Sequence, residues 1–557
     1  MMALGKPEEQ LLKRYPKAIA HMRWQLQVKR FGVIFGAGAS SDLGFPKWGE
    51  LVQRVAESPE VEGTTLTKEV HKPLPIVAEA AFHAFRGRQI KEVKERFQAL
   101  SPNANDVDRL LTSRWVELIR RCLYQDVPEE IDALLERDTV YKHLLPVVKD
   151  SPITVNYNYD DTLQLLLLHS RTSEGAPRGF ETITDPNLQH NPLNTVLYHP
   201  NGFLPRNSLE RTTDRIIFND GTFADQITDF MMGTFSSMLH YLSHHSWLLV
   251  GLSLSDETLR HMLHRAALLN PGHYHYHVEH CPKPVGEQTP AMEAQAAANF
   301  ETYNLITLFL DSTEIAALGQ CLAAPAAEVS ALAEEIDVRL SYTFYFVGVP
   351  GVGKTTTLAH LKNLTTWDQW LEERLPELGK PFVTLTEDER IKVDAWIMKQ
   401  VGLKNKRLLD AERKGRIGVT VVDRCVPDAV TFTQPDGWRE KAKSLLEAVA
   451  PGVSKRRVHP GHVILFVGDP KEITIRAAIK NKKTAEKYTD GMQRALRVVY
   501  GDEGVTELNV RGIGIRQAVK EVARIIHLGV YSECNLHKRL EDIRDGLITN
   551  AEVIELE

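Results

Sequence analysis

The run Gly348-Val-Pro-Gly351-Val-Gly353-Lys354-Thr355-Thr356 has the spacing G-x-x-x-x-G-K-[ST]. Glycines at these positions let backbone amides wrap a phosphate. The Lys354 ammonium can reach β- and γ-phosphates, and the Thr355 hydroxyl can ligate magnesium. The apolar run TFYFV precedes the loop and TTLAHLKNL follows it, which is the strand–loop–helix setting that such a site needs. A second glycine loop, Gly36-Ala37-Gly38-Ala39-Ser40, leaves the apolar run FGVIF. Without Cβ atoms at Gly36 and Gly38 it can come close to a pyrophosphate. Asn158 and Asp160 stand just after the run ITV. An asparagine amide can bond a ribose hydroxyl or position a water, and plain strand-end capping is the alternative for both residues. His199 opens the stretch His199-Pro200-Asn201-Gly202, and a histidine can act as a base near neutral pH.

Downstream of the phosphate loop, over about 341–530, the chain resembles the thymidylate kinase group of nucleoside and nucleotide kinases. VTVVDRCVPDAVTF places Asp423-Arg424 at a strand end, like that family's Asp-Arg at the phosphate acceptor. VILFVGDPKEITIRAAIKNKKTAEKY looks like its strand, Asp-x-Pro turn and basic lid helix. Arg476, Lys480, Lys482 and Lys483 then become candidate cations for a transferring phosphoryl group. The family's lid relies on arginines, whereas lysines dominate here. The resemblance therefore implies ATP or GTP binding with magnesium more firmly than it implies phosphoryl transfer. A solvated charged face stays open for Arg424 and the lid lysines.

The first half resembles the sirtuin-like domains of bacterial antiphage effectors. Four blocks carry the likeness, in order: the Gly36 loop with Gly44-x-Pro46-x-Trp48; Asn158-Tyr-Asp160-x-x-Leu163; VLYHPNGFLP; and GLSLSDETLRHML. The resemblance implies NAD as substrate, with Gly36, Ala37, Gly38, Ala39, Ser40, Pro46, Trp48, Gly251, Ser253 and Asp256 around it. It also implies chemistry from Asn158, Asp160 and a histidine before a glycine. That family reads His-x-His-Gly with the second histidine catalytic, and Asn201 stands in its place. An amide takes no proton at neutral pH. Three readings stay open: an inactivated variant, a takeover by His199, or an NAD-binding domain that does not cleave. Protein-deacylating sirtuins hold zinc with two cysteine pairs. The five cysteines here (Cys122, Cys281, Cys321, Cys425 and Cys534) form no CxxC pair, which disfavours deacylation and zinc and favours NAD hydrolysis.

These loops must be positioned by strands and helices, and composition allows them. The 557 residues are 43% hydrophobic and 25% charged, ordinary for a folded chain of two to four domains. The net charge of −6 argues against non-specific duplex binding as the main task. No apolar run reaches the about 18 residues of a membrane span, and the first residues lack a signal-peptide core. A soluble, reducing, cytoplasmic setting is the expectation. No repeat is visible. Strands are predicted at Phe31–Phe35, Ile153–Val155, Thr195–Tyr198, Trp247–Val250, His273–Val278 and Leu305–Leu310, and again at Thr343–Val347, Phe382–Leu385, Gly418–Val422, Val463–Val467 and Val505–Val510. His273, His275 and His277 share one face of such a strand, a metal face or an ordinary one, the ordinary one being favoured. Strands alternating with helical stretches predict an α/β chain with two parallel-sheet domains, the first sirtuin-like and Rossmann-type, the second a P-loop kinase-like domain. The boundaries are 1–325 and 341–557, with a helical linker at 326–340 inside the Ala-rich stretch 321–340.

The functional expectation is an antiphage defence protein that hydrolyses NAD at the nicotinamide–ribose bond. The second domain would sense a nucleotide or a phage factor. Coupling between the two is expected at 321–340, in an oligomer of at least two copies with no membrane or specific duplex partner. A nucleotide kinase regulated by NAD in its first half is the alternative, and a scaffold with two degenerate sites is the third reading.

Overall fold

A computed structural model of the protein describes residues 4–61, 73–97, 103–128, 130–174, 179–191, 193–207, 216–254, 256–379, 385–449, 458–479 and 485–548. Its strands form two sheets in which every paired strand is parallel. The first contains β1 (Phe31–Phe35), β2 (Ile153–Asn156), β3 (Phe180–Ile183), β4 (Thr195–Tyr198), β5 (Ser246–Val250), β6 (His275–His280) and β7 (Leu305–Leu310), in the order β3-β4-β2-β1-β5-β6-β7. The second contains β8 (Ser341–Gly348), β9 (Thr365–Trp367), β10 (Gly418–Asp423), β11 (His462–Val467) and β12 (Val505–Asn509), in the order β12-β11-β8-β10-β9. Runs such as FGVIF, SWLLV and HVILFV are buried along their whole length. That is what a parallel strand covered by helices on both faces requires, and it is why these strands read as continuous apolar runs rather than alternating ones.

The register decides where the loops emerge. Phe35 at the end of β1 pairs with Asn156 on one side and Val250 on the other. The turns after β1, β2 and β5 therefore open side by side at the carboxyl end of the sheet, where the strand order reverses direction. Such switch points at carboxyl ends are where open α/β sheets bind ligands. In the second sheet β8 sits between β10 and β11, so the loop after Gly348 faces the turn after Asp423.

Several predicted elements differ. β3 and β9 lie outside the strands that the sequence predicts, because FETI and TTW are short edge segments with little apolar signal. Of the strand predicted at Phe382–Leu385, 382–384 lie outside the described residues, and Leu385 itself is in no strand. β6 starts at His275, not His273. Within the stretch 321–340 the helix Ser312–Ala323 ends and a second, Ala326–Glu335, begins after Pro325 and buries Val329 and Ala333. Among the described residues, no single helix is long and apolar enough to cross a membrane.

Candidate functional site

The loop after β1 is held by packing rather than by ligand. Gly36 N donates to Val250 O (3.0 Å) and Gly38 N donates to Gly251 O (2.9 Å). A Cβ on Gly36 would lie 2.6 Å from Gly251 O, and one on Gly251, at φ +71°, would lie 2.4 Å from Ala39 N. The missing side chains thus let the β1 and β5 loops interlock. Ala39 N and Ser40 N are turned back on Gly36 O and Ala37 O. Asn158 braces the same loop from β2: its Nδ2 donates to Gly36 O (2.9 Å) and to Tyr141 OH (2.7 Å), with Ser40 Oγ at 3.3 Å. Its amide nitrogen is therefore committed to the protein.

A cavity of about 1040 Å³ opens over these loops. It is lined by Gly36, Ala37, Gly38, Ala39, Ser40, Pro46, Trp48, Asn158, Asp160, Asn201, Gly251, Ser253 and Asp256, so the structure brings together every first-half site residue named from the sequence except His199. Asp160 is 1% exposed; it accepts from Thr162 N (3.1 Å), and burial, with the charge of Asp161 adding to it, pushes its carboxyl up to about 6. Asp256 caps the helix Glu257–Leu269 by accepting from Leu259 N (2.7 Å), and burial raises its carboxyl too. Asn201 sits between elements: its Oδ1 accepts from Gln226 Nε2 (3.1 Å), and its side chain hydrogen-bonds the Asp256 carboxylate.

His199 is fully buried beneath this floor, outside the cavity lining. Its Nδ1 lies 2.8 Å from Asn158 O and its Nε2 lies 2.8 Å from Gln164 Nε2. Donation to the carbonyl and acceptance from the amide fit one neutral tautomer. Burial lowers its pKa to about 4. Those contacts suit a structural histidine under the Asn158 turn.

Sequence reading missed three participants. Tyr141 holds Asn158 from the helix Val140–Asp150 just before β2, and Gln226 ties Pro200 O, Asn201 and Thr258 together from the helix Asp220–Met231. The third, Glu279, ends on the cavity wall. None belongs to a motif, so spacing could not have flagged them.

A dinucleotide fits what is present. Trp48 Nε1 and Tyr157 OH are buried, belong to lining residues, and make no hydrogen bond among the described residues. Such unpaired groups are costly unless a ligand or water meets them.

The second site is a phosphate-sized hollow of about 60 Å³ lined by Pro350, Gly351, Gly353, Lys354, Thr355, Thr356, Gln369, Arg424 and Ala477. Gly348, Gly351 and Gly353 have φ of +149°, +90° and +116°, values that only glycine adopts without strain. Lys354 Nζ donates to Gly348 O (2.5 Å) and Val349 O (3.1 Å). Thr355 Oγ1 donates to Asp423 Oδ2 (2.9 Å), while Asp423 Oδ1 is buried and makes no hydrogen bond among the described residues. That hydroxyl–carboxylate pair fits a magnesium ion and is where one would be held. Lys404 Nζ donates to Asp423 O (2.7 Å), and burial lowers its pKa to about 8. Arg424, at φ +68°, lies 3.4 Å from Asp428 Oδ2 and over the Phe432 ring. Arg476 pairs with Glu472 (3.3 Å) rather than lining the hollow, and Lys480, Lys482 and Lys483 lie outside the described residues. Among the described residues, no group of three or more His, Cys, Asp or Glu could hold a metal; His275 and His277 are buried strand residues, and His277 Nε2 bonds Leu252 O.

Residues 152–307 match the family model of the SIR2-like domain, so this part of the chain is SIR2-like, and SIR2-like domains bind NAD. The match runs from β2 into β7 and leaves the β1 loop outside it. No curated protein matches the chain. Among solved structures, the tunicamycin resistance protein of Deinococcus radiodurans is similar at 16% identity and a TM-score of 0.22, covering 34% of this chain and 98% of that one.

Proposed function

We propose that the first sheet carries an NAD site in which water displaces nicotinamide, in an antiphage defence protein whose nucleotide-binding second half controls that reaction. The observation that carries the reading is the meeting of Asn158, Asp160, Asn201 and the loops at Gly36 and Gly251 around one cavity over a SIR2-like stretch. The reaction breaks the bond between ribose C1′ and the ring nitrogen, whose electron pair leaves with nicotinamide. A C1′–oxygen bond forms to water, which releases a proton. Positive charge grows on the ribose as the first bond breaks, so a carboxylate in the cavity lining stabilises it. Asp160 is that group, and the Asn158 brace fixes the turn that carries it. The proposal divides the chain at 1–325 and 341–557 with 326–340 between, and places the protein in the cytoplasm as a homo-oligomer of at least two copies. Incubating the purified chain with NAD and following nicotinamide release tests the hydrolysis; no release from any active-site variant would overturn it.

The charge state of Asp160 gives a signed expectation. Its carboxyl, pushed up to about 6, loses its proton as the pH rises through that region, and the carboxylate would attract a cationic nicotinamide ring in the cavity. NAD affinity should therefore rise by up to about tenfold between pH 5 and pH 7, as the ionised fraction grows. Asp160→Asn should flatten that profile in calorimetric titrations.

The wall predicts a further preference. Asp42, Asp160, Asp220, Asp256, Glu257 and Glu279 line the cavity, against Lys47 as its only lysine or arginine among the described residues. A 2′-phosphate adds negative charge to such a wall. NADP is expected to bind at least about tenfold more weakly than NAD, a difference of ~1.4 kcal/mol. Equal affinities in side-by-side titrations would contradict this.

A second reading, a nucleotide kinase regulated by NAD, is favoured by the Thr355–Asp423 pair and by Arg424 at the mouth of the phosphate hollow. Incubation with nucleoside monophosphates and ATP separates the two readings.

A further inference from the structure

The two sheets touch through the helix Pro16–Gln27, which turns directly into β1. Its buried face carries His21 and Gln25. His21 Nε2 lies 3.0 Å from Asn363 O, and Gln25 Nε2 donates to that same carbonyl. His21 Nδ1 lies 2.7 Å from Tyr276 OH on β6. One neutral tautomer satisfies both ring contacts, donating to Asn363 and accepting from the tyrosine.

Asn363 lies in a run of tight turns that starts at the phosphate loop. The short helix Lys354–Leu358 continues through tight turns, with His360 N on Thr357 O (3.0 Å), Leu361 N on Leu358 O (3.1 Å) and Leu364 N on Leu361 O (2.9 Å). On the other side, Arg30 N donates to Gln25 O (2.8 Å) just before β1, which ends in the Gly36 loop. Tyr276 stands on the strand that carries Glu279 to the cavity wall. Both lips of the cavity are thus fastened to the same carbonyl, one through β1 and one through β6.

The joint holds buried polar groups that its present contacts do not use. Gln25 Oε1, Asn363 Nδ2 and Asn363 Oδ1 are buried, and none makes a hydrogen bond among the described residues. Buried polar groups of this kind favour any rearrangement that pairs them. At the phosphate loop Lys354 Nζ rests on Gly348 O and Val349 O, and a bound phosphate would draw it away from them. Further contacts join the same two bodies, among them Arg416 over Trp24 at 4.4 Å, Lys17 on Gly529 O, and Lys520 and Arg524 on Glu301.

We infer that a nucleoside triphosphate with magnesium at the phosphate loop and a dinucleotide in the first-sheet cavity change each other's affinity through the Asn363 joint with His21 and Gln25. The inference rests on the two-site reading above. It places the coupling here rather than at 321–340.

The test uses the full chain, with NAD and a non-hydrolysable ATP analogue plus magnesium as probes. Each probe is first titrated alone by calorimetry, and then in the presence of the other. The unaltered chain should show at least about a fivefold change in NAD affinity, with the same factor appearing in the reverse titration, as linkage requires. Gln25→Leu should bring that factor within about twofold of unity and leave each affinity alone unchanged. His21→Phe should do the same, and a thermal melt reports whether either variant is unfolded. If His21→Phe does not fold, Gln25→Leu and Gln25→Met carry the result. Two bound probes with no mutual effect in the unaltered chain would overturn the inference, and so would a coupling that survives Gln25→Leu. Failure of NAD or the analogue to bind alone would instead overturn the site reading on which it rests.

Discussion

Asn201→His is expected to raise nicotinamide release by about 10²–10⁴-fold, the usual contribution of a positioned general base. The turn that carries Asn201 already lies on the cavity, and Asp256 is bonded to the present side chain. An imidazole there would find a carboxylate beside it, which raises its basicity and holds its ring. Gln226, now donating to Asn201 Oδ1, would need to turn, and a neighbouring Thr258 hydroxyl already bonds its other end. Nicotinamide release by the variant, measured against the unaltered chain, checks the claim, and no gain would sink the idea that position 201 awaits a base. His199→Ala separates the alternative. A buried histidine with both ring nitrogens bonded and a pKa near 4 is a poor base at neutral pH. Its loss should lower the melting temperature and leave the rate of the Asn201→His chain within about tenfold. Abolished activity in a folded His199→Ala chain would instead show that His199 moves the proton.

The strands that frame both sites were legible because a parallel strand buried on two faces is a run of apolar residues, and FGVIF, TFYFV and HVILF are such runs. Edge segments were not: β3 carries Glu181 and β9 is three residues long, so neither shows the apolar density of a central strand. Among the site residues, those lying at strand ends were legible, since a loop leaving a strand has to face the crevice. The roles of those residues were less so. The Gly36 loop reads as a ligand-approach loop, but its glycines make room for Gly251 and Leu252. The amide of Asn158 reads as a ribose contact, and its nitrogen is spent on Gly36 O and Tyr141. His199 and Asn201 stand two apart in an irregular turn, and no periodicity says which of them faces the cavity. Long-range partners such as Tyr141, Gln226 and the Asn363 joint depend on how helices cross the sheets, which local pattern does not encode.

Lys354→Ala is expected to weaken binding of a nucleoside triphosphate with magnesium by at least about 30-fold, or ~2 kcal/mol, the scale of a lost hydrogen bond to a charged group. Lys354 is 6% exposed, and its ammonium lies within the loop itself, on Gly348 O and Val349 O, so moving to a phosphate exchanges neutral acceptors for charged ones. The residue is buried, so the substitution also removes a support of the loop. The companion Thr355→Val therefore matters: it keeps Lys354 and removes only the hydroxyl that bonds Asp423 Oδ2. Thr355→Val should weaken the complex when magnesium is present and change it little when magnesium is chelated, whereas Lys354→Ala should weaken it in both conditions. NAD affinity measured alone should stay within about twofold in either variant, because the cavity over the first sheet contains neither residue. Triphosphate affinity that survives Lys354→Ala would mean that the glycine loop is not where the nucleotide sits. A matching loss of NAD affinity would mean that the phosphate loop supports the fold of the first sheet rather than a site of its own.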